Sequence, residues 1–326
     1  MYKTAIGIDI EKCRILLEGG ELVAIPTETV YGLAANGLDS SAVLKIYEVK
    51  KRPQFNPLIL HVSNLDQMAR LVLDIPSVFE KLIHVFSPGP ITYLLPKNNI
   101  VPDLVTSGSD LVAIRIPDHQ ITLSLLASLD FPLAAPSANI SGYVSPVTAI
   151  HVQQGLAGFI PYILDGGECS VGLESTIVGL KNGIIQIHRL GAITKEQIEG
   201  ATGVEVDFAL SHASPSAPGQ MKSHYATSKP FFLGDVEKLA NRHADKKIGI
   251  ISFEQSYSSL NPLNQIVLSP DGNLGVAATR LFSAMRVMDE SAVDLIIAER
   301  VPSKGIGLAI NDRLERAAYD SKVNVG

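Results

Sequence analysis

The chain has 326 residues, of which 46% are hydrophobic and 18% charged. That is too apolar for global disorder and, at roughly 150 residues per domain, too long for one small module, so two domains are expected. Formal charge divides unevenly: residues 1–227 hold 15 Lys/Arg against 21 Asp/Glu, residues 228–326 hold 12 of each, and the total is −6. A field of that sign repels phosphate backbones, which excludes extended nucleic-acid binding except at a local basic island. Two cysteines, Cys13 and Cys169, support neither a disulfide framework nor a Cys-rich zinc site. The opening MYKTAIGIDIEKC breaks its apolar runs with Asp9, Glu11 and Lys12, and no later run reaches the ~18 apolar residues of a membrane span. A soluble cytoplasmic protein without membrane partners is expected.

Asp9 suits the N-cap of a helix over 11–18 that stops at Gly19-Gly20, and a strand over 22–26 leads into a turn-rich segment over 27–32. Helical spacing places further helices at 42–49, 78–86, 121–129 and 149–156. Short apolar runs at 58–62, 91–95, 111–116, 132–135, 162–164, 176–180 and 184–188 read as strands of one sheet. The last two follow each other with no helix between them, which implies a hairpin and therefore a mixed sheet. Residues 211–228, SHASPSAPGQMKSHYATS, lose apolar periodicity and have the composition of a linker. Beyond them, strand 231–233, helix 236–243, strands 248–252 and 265–268, helix 274–288, strand 295–298 and helix 308–318 alternate as in a small doubly wound parallel sheet. The expected division is a first α/β domain over 1–208, a linker over 209–229 and a smaller Rossmann-like domain over 230–326.

Familiar nucleotide and hydrolase signatures are missing: there is no G-x-x-x-x-G-K-[ST], H-E-x-x-H, C-x-x-C or G-x-S-x-G, and the G-x-G at Gly305 and Gly307 lacks its third glycine. Polar residues gather instead in three irregular segments. Lys50-Lys51-Arg52-Pro53, followed by Asn56 and by His61 on the next strand, either complements a helix dipole or forms an anion site in which Arg offers a bidentate fork. Ala135-Pro136-Ser137-Ala138-Asn139, continuing to Ser145, follows a strand, where small residues let a ligand approach the main chain. Gly166-Gly167 and Gly172-Leu173-Glu174-Ser175-Thr176 form the third, for which a bulge or hairpin is the plain alternative. Arg115, on the strand face opposite Ile114 and Ile116, is either solvated or recruited to a carboxylate, and Arg189 at another strand end invites the same two readings. Cys169 reads as a structural thiol, and the eight scattered histidines give no metal cluster, so any divalent ion arrives on a nucleotide's phosphates.

Taken in order, PTETVYGLAANG, KKRPQFNPLILHV, PGPIT, VAIRIPDH, PLAAPSANISGYVSP and LDGGECSVGLESTIVGL resemble the L-threonylcarbamoyladenylate synthase family over nearly all of residues 10–200. The K-x-R and S-x-N pair, here Lys50, Arg52, Ser137 and Asn139, is that family's signature constellation. The segment APGQMKSHYA and the part after it are similar to the two-domain form. The resemblance implies ATP-dependent joining of threonine and bicarbonate into threonylcarbamoyl-AMP with release of pyrophosphate, Mg2+ being carried on the ATP phosphates. It also implies a twisted open mixed sheet with a large concave cavity (YrdC-like), and a linker that covers the active site. A separate tRNA threonylcarbamoyl-transfer complex would use the product, with no stable binding of tRNA by this chain. Matching motif positions place threonine against Thr29, His61, Arg115, Ala135 and Ser175. They place ATP against Arg52, Asn56, Leu111, Ser137, Ser145, Arg189 and Tyr225. Two other readings are an RNA-binding module acting in translation or ribosome assembly, against which the net charge argues, and a carbamoyltransferase, whose additional domains are missing from this sequence.

Overall fold

A computed structural model describes residues 1–209, 224–261 and 264–319. Most of the expected linker, residues 210–223, lies outside the described residues. The chain divides into two compact units. One takes Met1–Ser141, Pro146–Ser170 and Glu174–Gln220, and the other takes Gly142–Ser145, Val171–Leu173 and Met221–Gly326. Two short excursions from within residues 1–208 are thus grouped with the second unit, and nothing in their composition marks them.

The first unit opens with β1 (Ala5–Gly7), α1 (Ile10–Glu18), β2 (Val23–Ile25), β3 (Gly32–Asn36) and α2 (Ser40–Lys50). Then come β4 (Ile59–His61), α3 (Leu65–Leu71), α4 (Ser77–Phe86), β5 (Ile91–Pro96), α5 (Asp103–Thr106) and β6 (Leu111–Arg115). It ends with α6 (Gln120–Ala127), β7 (Leu133–Ala134), α7 (Ala149–Leu156), β8 (Tyr162–Leu164), β9 (Thr176–Lys181), β10 (Ile184–Arg189), α8 (Lys195–Thr202) and β11 (Val206–Phe208). The strands join in the order β1-β8-β2-β3-β7-β4-β6-β5-β9-β10-β11. The sheet is mixed, as expected: β4 runs parallel to β6, while β7 pairs antiparallel to β4 and β5 antiparallel to β6. The expected hairpin is β9–β10, closed by Asn182 and Gly183 at φ 52° and 79°, the paired positive φ values that a two-residue turn of matching twist requires.

Local signals explain most of these elements. Asp9 accepts from Lys12 N at 3.0 Å and caps α1 as its sequence position indicates. Cys13 and Leu17 of α1 bury against Val23, Ile25, Leu125, Leu133 and Leu164, and complete burial of one such leucine stabilises by about 1.5–3 kcal/mol. Helix α2 ends because Lys51 adopts the left-handed conformation at φ 52°. This reversal sends Lys50 and Arg52 inward, 1% and 8% exposed, and leaves Lys51 in solvent. The three cations therefore do not share the solvated role of a dipole-complementing cluster.

In the second unit, β12 (Phe231–Leu233), α9 (Val236–Arg242), β13 (Ile248–Ser252), β14 (Gln265–Val267), α10 (Leu274–Glu290), β15 (Leu295–Ala298) and α11 (Gly307–Ala317) alternate as the sequence indicates. Its strand order is β12-β15-β13-β14, parallel throughout. Buried Arg313 lies 5.3 Å from the Tyr225 ring, and Tyr225 stacks on Phe282 at 5.3 Å.

Gly191 marks the tightest packing next to Ser175: a Cβ there would stand 2.3 Å from Thr176 N and 2.4 Å from the Ser175 carbonyl carbon, both main-chain atoms. Gly191→Ala must displace the backbone of Ser175 and Thr176, and overpacking of this kind costs about 1–3 kcal/mol. The expected result is a lower urea midpoint with an unchanged slope; a midpoint equal to that of the parent would show that the strand end yields without strain.

Candidate active site

Three adjacent strands form the frame. Register pairs His61 of β4 with Arg115 of β6 and, on the other side, with Leu133 of β7. Ala135 N donates to Ile59 O at 3.0 Å, so Ala135 lies level with the first residue of β4. Leu111 opens β6 at the opposite end, four residues before Arg115, with Pro57 just before the paired residues of β4 and Ser137 just after those of β7. At about 3.3 Å per residue the two ends are roughly 13 Å apart.

At the Pro57 end, Arg52 donates to Asn56 O at 3.0 Å and to Pro57 O at 2.8 Å. Lys50 Nζ donates to Ser137 O at 2.5 Å and to Asn139 O at 2.6 Å, while Ser141 N returns a bond to Lys50 O at 2.8 Å. The K-x-R and S-x-N segments, 87 residues apart, are thereby joined through one ammonium group. Burial, and secondarily the charge of Arg52, pushes the pKa of Lys50 well below its ordinary value. Leu111 begins β6 here and is 39% exposed.

At the His61 end, Arg115 donates through Nε to Gly89 O at 3.2 Å and through Nη1 to Thr29 Oγ1 at 2.9 Å. Its Nη2 lies 2.6 Å from Glu28 Oε1. The turn that presents Glu28 and Thr29 is built by Thr27, whose Oγ1 accepts from Thr29 N and Val30 N at 3.2 Å each and donates to Val30 O at 2.7 Å. Arg189 donates to Ser175 O at 2.9 Å and Ser175 Oγ at 2.9 Å, and Ser175 Oγ lies 2.7 Å from Thr92 Oγ1. Burial first, then the charge of Arg115 and, more weakly, that of Arg189, lowers the pKa of His61 to about 3, so the ring is neutral at working pH. Burial raises the Cys169 thiol to about 12, which removes it as a nucleophile near neutrality.

The structure thus gathers Lys50, Arg52, Asn56, Leu111, Ser137 and Asn139 at one end and Thr29, His61, Arg115, Ser175 and Arg189 at the other, with Ala135 between them. Arg189, which the resemblance places among the nucleotide contacts, stands beside Ser175. Ser145 and Tyr225 belong to the second unit. There Arg286 donates to the Ser145 and Val144 carbonyls at 3.2 and 2.5 Å, and Tyr225 is 1% exposed. Sequence reasoning passed over Glu28. An acidic residue between two threonines carries no motif of its own, and only the fold pairs it with Arg115.

A family model described as "Telomere recombination", that of the Sua5/YciO/YrdC proteins, matches residues 15–191, and one described as "Threonylcarbamoyl-AMP synthase, C-terminal domain" matches residues 193–319. Threonylcarbamoyl-AMP synthase of Bacillus subtilis (strain 168) is 40% identical over 320 residues, covering 95% of this chain and 92% of its own length. The chain belongs to the threonylcarbamoyl-AMP synthase family. Its likeness to the family reaches beyond the motifs of residues 10–200 into the second unit. The Schizosaccharomyces pombe relative of the same name is 37% identical over 91% of this chain and 84% of its own. The crystal structure of P. abyssi Sua5 complexed with L-threonine superimposes with a TM-score of 0.89 at 39% identity, covering 98% of this chain and 97% of that one. Family membership carries the mixed α/β sheet with its small parallel companion.

Because His61 is neutral when folded and has an ordinary pKa near 6.5 when unfolded, the unfolded chain binds the extra proton as pH falls from about 6.5 toward about 3. Stability should therefore decline over that window. His61→Gln should flatten the fall in urea midpoint between pH 7 and pH 5, and an identical fall in parent and variant would assign the titration to other groups.

Proposed function

We propose that the chain condenses L-threonine, bicarbonate and ATP into L-threonylcarbamoyladenylate, releasing pyrophosphate. The observation that carries this reading is the set of cationic side chains, Lys50, Arg52, Arg115 and Arg189, drawn out of water and each donating to main-chain carbonyls. Carbonyls satisfy the donors of Arg52 and Arg189 without supplying a negative charge, which favours a triphosphate, whereas the charge of Arg115 is offset by Glu28 until a carboxylate binds.

Arg115 takes the threonine carboxylate, with Thr29 and the neutral ring of His61 at its side-chain hydroxyl, and Ser175 and the Ala135 backbone complete the amino-acid end. Arg52, Asn56, the Leu111 backbone, Ser137 and Asn139 receive the nucleotide. Lys50 holds the Ser137–Asn139 turn open to it. The threonine amine attacks the carbon of bicarbonate and water leaves, giving a carbamate; a carbamate oxygen then attacks the α-phosphate as pyrophosphate departs. Catalysis is positioning plus charge stabilisation, with no covalent enzyme intermediate. Mg2+ carried on the triphosphate supplies further neutralisation of the leaving group. Among the described residues no group of three or more His, Cys, Asp or Glu is placed to hold a metal ion.

Among the described residues no helix is long and apolar enough to cross a membrane. We place the reaction in the cytoplasm, where a separate transfer complex passes the threonylcarbamoyl group to an adenosine of tRNA. Relatives that share the synthase name over nearly the whole chain favour this reading above an RNA-binding module or a carbamoyltransferase.

Pyrophosphate release measured with ATP, Mg2+, threonine and bicarbonate, each omitted in turn, should require all four. Release without threonine or without bicarbonate would overturn the reaction. Arg52→Ala should lower kcat by at least tenfold, since one charge-assisted bond to the reacting phosphates supplies about 1.5–3 kcal/mol; an unchanged kcat would remove Arg52 from the chemistry.

A further inference from the structure

The Glu28–Arg115 pair is more than an ion pair locked in a core. Both residues are almost fully buried, at 4% and 3% exposure, and Oε1 stands 2.6 Å from Nη2. Yet the approach is not aligned as a hydrogen bond. Among the described residues Glu28 Oε1, Glu28 Oε2 and Arg115 Nη2 all lack a hydrogen-bond partner. A carboxylate offers about four lone-pair sites, and a buried one serving only structure fills them, because desolvating the charge is otherwise uncompensated. Here one acceptor group and one donor face each other with their directional capacity unused, while the other Arg115 nitrogens are satisfied by Gly89 O and Thr29 Oγ1.

That arrangement matches a zwitterion. An α-amino acid presents a carboxylate and an ammonium on one carbon, and it adds no net charge to a site holding one guanidinium and one carboxylate. We propose that Glu28 is a substrate-recognition residue whose carboxylate receives the ammonium group of L-threonine while Arg115 takes its carboxylate. This rests on the proposed threonine site and extends it, since Arg115, Thr29, His61 and Ser175 together supply no anion for the amine. In the absence of substrate the two protein charges compensate each other, and on binding each exchanges a misaligned partner for an aligned one. The Thr27 turn fixes Glu28 beside Thr29, so the carboxylate is held in place before the ligand arrives.

The test compares L-threonine with 3-hydroxybutanoate, which keeps the carboxylate and the hydroxyl but has no amine, by calorimetric titration of the full chain. Parent protein should bind threonine at least tenfold more tightly, the value of one hydrogen bond to a charged group. Glu28→Gln, whose amide oxygen still holds Arg115, should bring the two ligands within about twofold while leaving MgATP affinity unchanged. Glu28→Asp should restore part of the difference. A Glu28→Gln variant that keeps the parental ratio overturns the proposal. If that variant does not fold, the parent alone decides, because equal affinity for the two ligands overturns it too. Failure of the underlying reading looks different: parent protein that binds neither threonine nor MgATP discards the site itself.

Discussion

Taking cations out of water inside an acidic domain is the constraint around which the first unit is arranged. Lys50, Arg52, Arg115 and Arg189 come from three separate segments, and each is supported by carbonyl oxygens of a neighbouring strand end or turn. Desolvating such a group costs several kcal/mol unless its N–H donors are satisfied. The partners must therefore be main-chain atoms whose positions the sheet already determines. Side-chain carboxylates in the same places would satisfy the donors and erase the potential. The local geometry follows from this: the left-handed turn at Lys51, the close approach at Gly191, and the Thr27 turn that delivers a single carboxylate to a single guanidinium.

Periodicity and composition are good guides where an element's burial is simple. The whole helix–strand alternation of the second unit is legible, because a parallel sheet covered on both faces produces clean apolar runs. In the first unit β3, with the sequence Gly-Leu-Ala-Ala-Asn, reads as the end of a turn. Its residues have weak strand preference, and only its place between β2 and β7 makes it a strand. Helix α8 is the opposite case. Its interior is polar, but Thr194 and Gln197 form a capping box and Gly203 ends it in the left-handed region, signals that apolar spacing ignores.

The site was legible to a different degree. Motif order picks out the polar turns at strand ends, while the division into amino-acid and nucleotide sets is what the family resemblance implies. It does not say that Lys50 spends two donors on main-chain carbonyls, since those acceptors have no letter in a sequence. Nor does it single out Glu28, which becomes conspicuous only when Arg115 arrives from a strand 87 residues away. The grouping of Gly142–Ser145 with the second unit is equally silent, because tertiary contacts and not composition decide it.

The ladder between β4 and β6 has a consequence for how the family can vary. The ladder pairs Ile59–His61 with Ala113–Arg115, so the phase of His61 and Arg115 is set in strand residues and not by loop length. Losing or gaining one residue within either strand would turn His61 or Arg115 to the other side of the sheet. Evolutionary insertions and deletions are therefore confined to the loops at the margins, and a chimera that grafts either strand must preserve its phase.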